Sequence, residues 1–173
     1  DFIKQYADIS GMNLYGYERW AYTYIYENYR NCSYDASKMN IVYMDIEVES
    51  DDGFPEPHLA EKEVTAIALI RNNMTIVLGC GDYEHDDKNT YYLKCDNETM
   101  LLRKFLKVWE NLDVDILSGW NTEFFDVPYL YNRINKVLGE EHANRMSPWK
   151  KVRAYSVTHG TKEQQGYELY GIS

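Results

Sequence analysis

The sequence has few cysteines, no regularly spaced histidines and no long apolar run. Its three cysteines are widely separated and form no C-x-x-C pair, which is typical of reduced intracellular thiols rather than of a disulfide framework. The four histidines have no metal-ligand spacing, which argues against a zinc site. No segment approaches the roughly 18 apolar residues of a membrane span, and no signal peptide is recognisable. These absences predict an intracellular protein that contacts no membrane.

Positive charge is also scarce, and it is unevenly distributed. The 173 residues carry 18 basic and 28 acidic side chains, a net charge of −10, which excludes a duplex-DNA binder that depends on phosphate neutralisation alone. The apolar content of 45% excludes a disordered acidic tail. Residues 1–99 have a net charge of −11, whereas residues 130–162 reach +5. Residues 1–99 are therefore suited to bind a cation and residues 130–162 an anion, although an ordinary solvent-exposed surface would give the same charge counts.

Hydrophobic periodicity predicts an α/β domain. Period-two alternation predicts a strand over residues 41–49, and β-rich runs predict further strands at 64–70, 74–79, 90–94 and 114–118. Apolar stripes predict helices that begin near residues 97 and 125, and residues 151–157 and 165–170 predict a terminal hairpin. This order is that of a ribonuclease H-like mixed sheet flanked by helices, with an inserted β-hairpin, that is truncated before its last strand and helix.

The first 38 residues are less regular. Residues 2–9 favour a short helix, and residues 18–29 fit a helix and a strand equally well. The turn-rich segment from Asn31 to Lys38 predicts a domain boundary, which separates residues 1–38 from residues 39–173.

Three carboxylates are the candidate chemical groups. Asp45 and Glu47 alternate on one face of the first core strand, so their like charges are held close together unless a cation or a proton intervenes. Asp126 lies at the start of a helix, directly after a strand that we expect to pair with the first one. Ligand sites of open α/β sheets cluster at the carboxyl ends of strands, and oxygen ligands suit Mg²⁺ or Mn²⁺. A solvent-facing strand and a helix N-terminal carboxylate are the simpler explanations.

Two segments resemble motifs of family B DNA polymerases. The segment YMDIEV at residues 43–48 resembles the first exonuclease motif, and SGWNTEFFDVPYL at residues 118–130 resembles the second, the Asn-x-x-x-Phe-Asp pattern. The loop DGFPEP at residues 52–57 and the closing LYGIS at residues 169–173 further resemble bacteriophage polymerases of the T-even type. The likeness covers nearly the whole chain and is loosest before residue 40.

The resemblance implies the proofreading 3′–5′ exonuclease domain of a phage replicative DNA polymerase. Asp45, Glu47 and Asp126 would bind two divalent metals, Mg²⁺ or Mn²⁺, for hydrolysis of the terminal phosphodiester and release of a nucleoside monophosphate. The DNA contacts would be made by Asn121, Phe124, Phe125, Lys151 and Arg153. The hairpin around residues 158–161 resembles one that helps separate primer from template, although an ordinary surface hairpin fits equally well. The partners would be a single-stranded 3′ end and the remaining polymerase domains, with this fragment itself a monomer.

The third motif of the family, Tyr-x-x-x-Asp, is absent from these residues. We therefore expect weak metal occupancy, and the alternative is a catalytically silent fragment that only binds single-stranded DNA or partner domains. Two further alternatives are a relative that cuts RNA or short oligonucleotides, and calcium binding by residues 82–87. The latter segment lacks the central Gly and terminal Glu of an EF-hand loop.

Overall fold

The computed structural model describes residues 9–11, 20–33, 35–50, 53–159 and 162–173, and it divides into two compact units, Asp1–Ala36 and Ser37–Ser173. The smaller unit contains helix α1 (Trp20–Tyr29). The Arg30 guanidinium lies 4.7 Å from the centre of the Tyr26 ring, at the four-residue spacing of one helical turn. The structure thus selects the helix over the strand for this segment. The helix predicted at residues 2–9 lies almost entirely outside the described residues.

A five-stranded sheet forms the centre of the larger unit, with the strand order β4-β3-β2-β1-β5. The strands are β1 (Ile41–Val48), β2 (Val64–Arg71), β3 (Met74–Gly79), β4 (Thr90–Lys94) and β5 (Ile116–Ser118). The pairs β1–β2 and β2–β3 are antiparallel, whereas β4 is parallel to β3 and β5 is parallel to β1. The mixed α/β sheet predicted from the order of the elements is confirmed.

Helices cover the apolar side of this sheet. They are α2 (Glu98–Leu112), α3 (Asp126–Leu138) and the short α4 (Glu140–Ala143), which continues into a 3₁₀ turn at Asn144–Met146. Asn97 caps α2, since its side chain accepts a hydrogen bond of 3.0 Å from the Met100 N–H. The predicted stripe of α2 is buried at Leu101, Phe105 and Trp109. Helix α4 was not predicted, because four residues are too few to show a helical period.

A buried ion pair connects α2, α3 and the loop that precedes β2. The Arg133 guanidinium donates to both carboxylate oxygens of Glu98 at 2.7 and 2.8 Å, and both residues are less than 10% exposed. Arg133 also donates to the carbonyl oxygens of Ala60 and Glu61, and Glu98 accepts from the Val64 N–H. All three nitrogens of the guanidinium donate to acceptors of Glu98 or of this loop, so the pair holds the loop between the two helices.

The last two strands form a separate antiparallel hairpin, β6 (Val152–His159) and β7 (Lys162–Leu169). Both strands are longer than predicted, and residues 160–161 of the turn lie outside the described residues. Ser147 fixes the base of the hairpin, because its hydroxyl donates to the Tyr170 carbonyl and accepts from the Lys151 N–H. No helix in the described part of the chain is long and apolar enough to cross a membrane.

Candidate active site

Strand β1 presents two carboxylates to solvent. Val42, Met44 and Ile46 are buried in the core, so the alternating side chains of Asp45 and Glu47 project from the opposite face and are exposed. Their cross-strand neighbours on β2 are alanines: Asp45 lies opposite Ala68, and Glu47 lies opposite Ala66. Because these neighbours are small, they leave both carboxylates uncovered. The predicted placement of the two acids on one face is confirmed by the register.

Asp126 is brought to the middle of the same strand. It is the first residue of α3 and is 1% exposed, and its Oδ1 accepts a hydrogen bond of 3.1 Å from the Ile46 N–H. Strand β5 pairs with only the first three residues of β1 and ends at Ser118. The Ile46 N–H therefore lies beyond the end of β5, and the carboxylate supplies the acceptor that a longer strand would have supplied. Ile46 lies between Asp45 and Glu47 in the sequence, so Asp126 contacts the backbone of the same short segment of β1 that carries the other two acids.

The surroundings of Asp126 keep its carboxyl group partly protonated near neutral pH. Its pKa is raised to about 6, mainly by burial; the hydrogen bond from the Ile46 N–H opposes this rise, and the charge of Asp45 contributes to it. Its second oxygen, Oδ2, is buried and has no hydrogen-bond partner within the described residues. A buried carboxylate oxygen without a partner is energetically costly when ionised. A proton or a cation at Oδ2 would remove this cost.

The three carboxylates fit a divalent metal in their chemistry more than in their arrangement. Hard cations such as Mg²⁺ take oxygen ligands, and Asp126 offers one that is otherwise unsatisfied. Across the described ranges, however, no group of three or more His, Cys, Asp or Glu side chains is arranged to hold a metal ion. Asp45 and Asp126 are close enough to influence each other electrostatically, whereas Glu47 shares only the face of the strand.

The turn between β5 and α3 depends on two residues with special backbone requirements. A Cβ at Gly119 would overlap the Met44 carbonyl oxygen and the Thr122 side chain, so this turn can approach β1 only with glycine there. Asn121 has a φ of +57°, and its carbonyl accepts from the N–H groups of Phe124 and Phe125. Asparagine tolerates this left-handed conformation better than most residues. The turn therefore delivers Asp126 to β1.

A groove lies against the same turn. We call it the aromatic groove: its volume is about 440 Å³, and it is lined by Phe54 with residues 56–58, by Asn121, Phe124, Phe125 and Pro128, and by residues 163–165 of β7. The ring centres of Phe54 and Phe125 are 4.8 Å apart, and Phe54 is 75% exposed. Phe125 also packs against Tyr129 with a centre separation of 5.7 Å, so it lies between the core and the groove. The structure thus brings three of the predicted DNA contacts, Asn121, Phe124 and Phe125, to one groove.

The two basic candidates lie elsewhere. The Lys151 ammonium lies 4.3 Å from the centre of the Tyr170 ring, and Arg153 forms a 2.7 Å ion pair with Glu168. Arg153 lines a different cavity of about 470 Å³, beneath the hairpin, together with Glu123 and Tyr155. The structure does not bring Lys151 or Arg153 to the aromatic groove, and their role in DNA binding stays a prediction.

Phe54 is the groove residue that sequence reasoning missed. It lies in the DGFPEP loop, whose likeness to phage polymerases gave no role to its aromatic side chain. Only its position 4.8 Å from Phe125, which is 71 residues later in the chain, shows that both rings line one groove. An exposed aromatic residue within a polar loop was the one available signal.

Comparisons with known proteins agree with the two motifs. The sequence model described as DNA polymerase family B, exonuclease domain, matches residues 21–173. The DNA-directed DNA polymerase of Escherichia phage RB69 is 31% identical over an alignment of 200 residues that covers 99% of this chain and 22% of the relative. The enzyme of Enterobacteria phage T4 is 29% identical over 100% of this chain and 22% of its own length. A DNA polymerase delta catalytic subunit from Dictyostelium discoideum is 29% identical over 76% of this chain. The chain spans about a fifth of the length of the phage relatives.

Proposed function

Because this chain belongs to the exonuclease domains of DNA polymerase family B, we propose that it removes nucleotides from a 3′ DNA end as the proofreading domain of a phage replicative polymerase. The observation that carries this proposal is the meeting of Asp126 with β1 between Asp45 and Glu47, where a buried carboxylate oxygen has no hydrogen-bond partner among the described residues. The product is a nucleoside monophosphate. In this proposal the enzyme acts inside a phage-infected cell on single-stranded 3′ ends; what supports it is that the matched phage proteins are DNA-directed DNA polymerases.

Asp45, Glu47 and Asp126 are the residues that would hold Mg²⁺ or Mn²⁺. When bound, a pair of divalent ions would activate water and stabilise the attacking and leaving oxygens at the terminal phosphodiester. The protein's own part is to provide ionised carboxylates; for Asp126, whose pKa burial raises to about 6 in the absence of metal, a bound cation would favour the ionised form. Among the described residues no three carboxylates are arranged to hold a metal ion, which is consistent with the weak metal occupancy that we propose for this chain.

The aromatic groove would bind the unpaired 3′ end. Stacking of a base on an aromatic ring contributes about 1–3 kcal/mol and does not depend on sequence, which suits an enzyme that must remove any mispaired nucleotide. Phe54 presents an exposed ring at the groove, and Phe125 supports it from the core side. Asn121 lines the same groove and offers an amide for hydrogen bonds to the terminal nucleotide.

The second candidate function is a silent fragment that binds single-stranded DNA or other polymerase domains without cutting. The absence of a three-carboxylate metal cluster from the described residues favours it. We assign residues 39–173 to the exonuclease domain and residues 1–38 to the end of a preceding polymerase region. In both candidate functions, the protein partners are the remaining polymerase domains.

A nuclease assay separates the two functions. A 5′-labelled single-stranded oligonucleotide is incubated with the wild-type chain in Mg²⁺ or Mn²⁺, beside Asp45→Ala and the control Asp86→Ala, which removes an exposed carboxylate between β3 and β4. We expect stepwise 3′ shortening by the wild type and the control, and a loss of at least 100-fold in Asp45→Ala. Equal degradation by all three proteins would show that the activity does not come from this site. Binding without degradation would favour the silent fragment.

A further inference from the structure

The aromatic groove is bounded by two walls that belong to different parts of the fold. The loop wall consists of Phe54 and residues 56–58, and the hairpin wall consists of residues 163–165 of β7. Ser147 fixes the hairpin at its base, and the hairpin wall lies beyond this anchor toward the tip. The backbone pairing within the hairpin does not by itself determine its distance from the loop wall. Side-chain contacts must therefore determine the width of the groove.

Asn132 on α3 contacts the supports of both walls. Its Nδ2 donates to the carbonyl oxygen of Pro57 at 3.0 Å, and its Oδ1 accepts from the Tyr167 hydroxyl of β7 at 2.8 Å. The Tyr167 ring also lies 4.5 Å from that of Tyr131, which keeps it against α3. One amide side chain thus uses its donor for the loop wall and its acceptor for the hairpin wall.

A second contact holds the hairpin to the turn that carries Asp126. The Tyr155 hydroxyl donates to the Glu123 carboxylate at 2.6 Å, and Glu123 lies three residues before Asp126. Tyr155 faces Gly166 in the register of the hairpin, and a Cβ at Gly166 would lie 2.5 Å from the Tyr155 ring. The ring therefore crosses the neighbouring strand over a glycine, which brings its hydroxyl to Glu123. Gly166 immediately follows the hairpin wall.

We propose that Asn132 and Tyr155 are positioning residues that fix the width of the aromatic groove and thereby favour an unpaired DNA end over a duplex. This inference rests on the proposed function, because the width of the groove affects DNA binding only if the groove holds a DNA strand. Asn132 joins the loop wall to Tyr167, two residues beyond the hairpin wall, and Tyr155 ties the hairpin next to that wall to Glu123 in the turn between β5 and α3. Loss of either contact lets the hairpin move away from the loop wall, which weakens contact with a single strand.

Hydrogen exchange of the wild type, three contact variants and one control variant tests the contacts themselves. Tyr155→Phe and Tyr167→Phe each remove one hydroxyl, and we expect amide exchange in residues 163–168 to rise about five-fold, the factor that a typical net hydrogen bond corresponds to. Asn132→Ala removes both bonds, so exchange at the Ala60 N–H of the loop should rise as well. Amides of α2 that exchange through global unfolding report any loss of overall stability, whereas amides that exchange by local opening away from the hairpin should not change. Tyr91→Phe, at an exposed tyrosine of β4, is the matched control.

Binding of a 5′-fluorescein oligothymidylate and of a blunt duplex, measured by anisotropy, tests the consequence. We expect Asn132→Ala and Tyr155→Phe to raise the single-strand Kd about five-fold and to reduce the preference over duplex, with Tyr91→Phe equal to the wild type. Unchanged hairpin exchange would refute the contacts, and faster exchange at unchanged Kd would refute their role in binding. If the wild type binds no single-stranded DNA, both the proposed function and the positioning role are refuted. The exchange data would still show whether the two contacts stabilise the hairpin.

Discussion

The pKa of Asp126 predicts how the stability of the domain depends on pH. The group has a pKa of about 6 in the folded protein, against a reference value of 3.8, because its carboxylate is buried. Between these two values the folded state binds more protons than the unfolded state. The free energy of unfolding must therefore fall as the pH rises through this range. The contribution is fully present below pH 3.8 and is lost as the pH passes the folded value.

The magnitude follows from the same two values. A shift of about two pKa units corresponds to roughly 3 kcal/mol in total, of which about 2 kcal/mol falls between pH 4.5 and pH 7.5. Asp126→Asn removes the ionisation but keeps an oxygen that can accept from the Ile46 N–H. Any change in the free energy of unfolding that the neutral amide itself causes is the same at every pH. The variant should therefore gain about 2 kcal/mol relative to the wild type across that pH interval.

Urea unfolding in metal-free buffer with a chelator, followed by circular dichroism at several pH values, measures this difference. Asp86→Asn, at an exposed carboxylate between β3 and β4, is the matched control. Parallel stability curves for the wild type and Asp126→Asn would refute the reasoning, because they would mean that burial does not shift this group. A difference of the opposite sign would mean that the folded state stabilises the ionised carboxylate.

Two further predictions concern the scaffold that supports the site. Glu98→Gln leaves the buried Arg133 without a counter-charge and should lower the free energy of unfolding by about 3 kcal/mol, whereas Glu110→Gln, in the more exposed pair with Arg145, should cost less than about 1 kcal/mol. Similar losses of unfolding free energy in Glu98→Gln and Glu110→Gln, measured by urea unfolding, would show that burial does not make the Glu98–Arg133 pair more important for stability. Gly119→Ala forces a Cβ against the Met44 carbonyl oxygen, so it should lower the free energy of unfolding by about 2 kcal/mol and reduce nuclease activity. The control Gly81→Ala has open space around the new Cβ and should change the free energy of unfolding by less than about 0.5 kcal/mol. Equal unfolding midpoints for the two alanine variants would show that the turn accommodates the extra atom.

Local patterns were sufficient where the structure depends on neighbouring residues. The alternation in β1 predicted which side chains are buried, and the short gap between the strands predicted at 64–70 and 74–79 contains Asn72 with a φ of +54°, a conformation that asparagine tolerates. The apolar stripe of α2 and its start near residue 97 also followed from local spacing. Helix α4 was missed because its four residues carry no periodic signal, and Met146 beyond it is positioned by a bond from the Trp109 indole N–H to its carbonyl.

The sequence alone therefore determined the order of the elements, the exposed face of Asp45 and Glu47, and the family motifs, because each depends on spacing within one strand or one turn. Tertiary structure alone decided that Asp126 pairs with the Ile46 N–H beyond the end of β5, and that this burial raises its pKa. It also decided that Phe54 meets Phe125 and that Asn132 reaches both walls of the groove. These contacts join residues that are 35 to 80 positions apart, and no local period encodes which distant atoms will fill a given space.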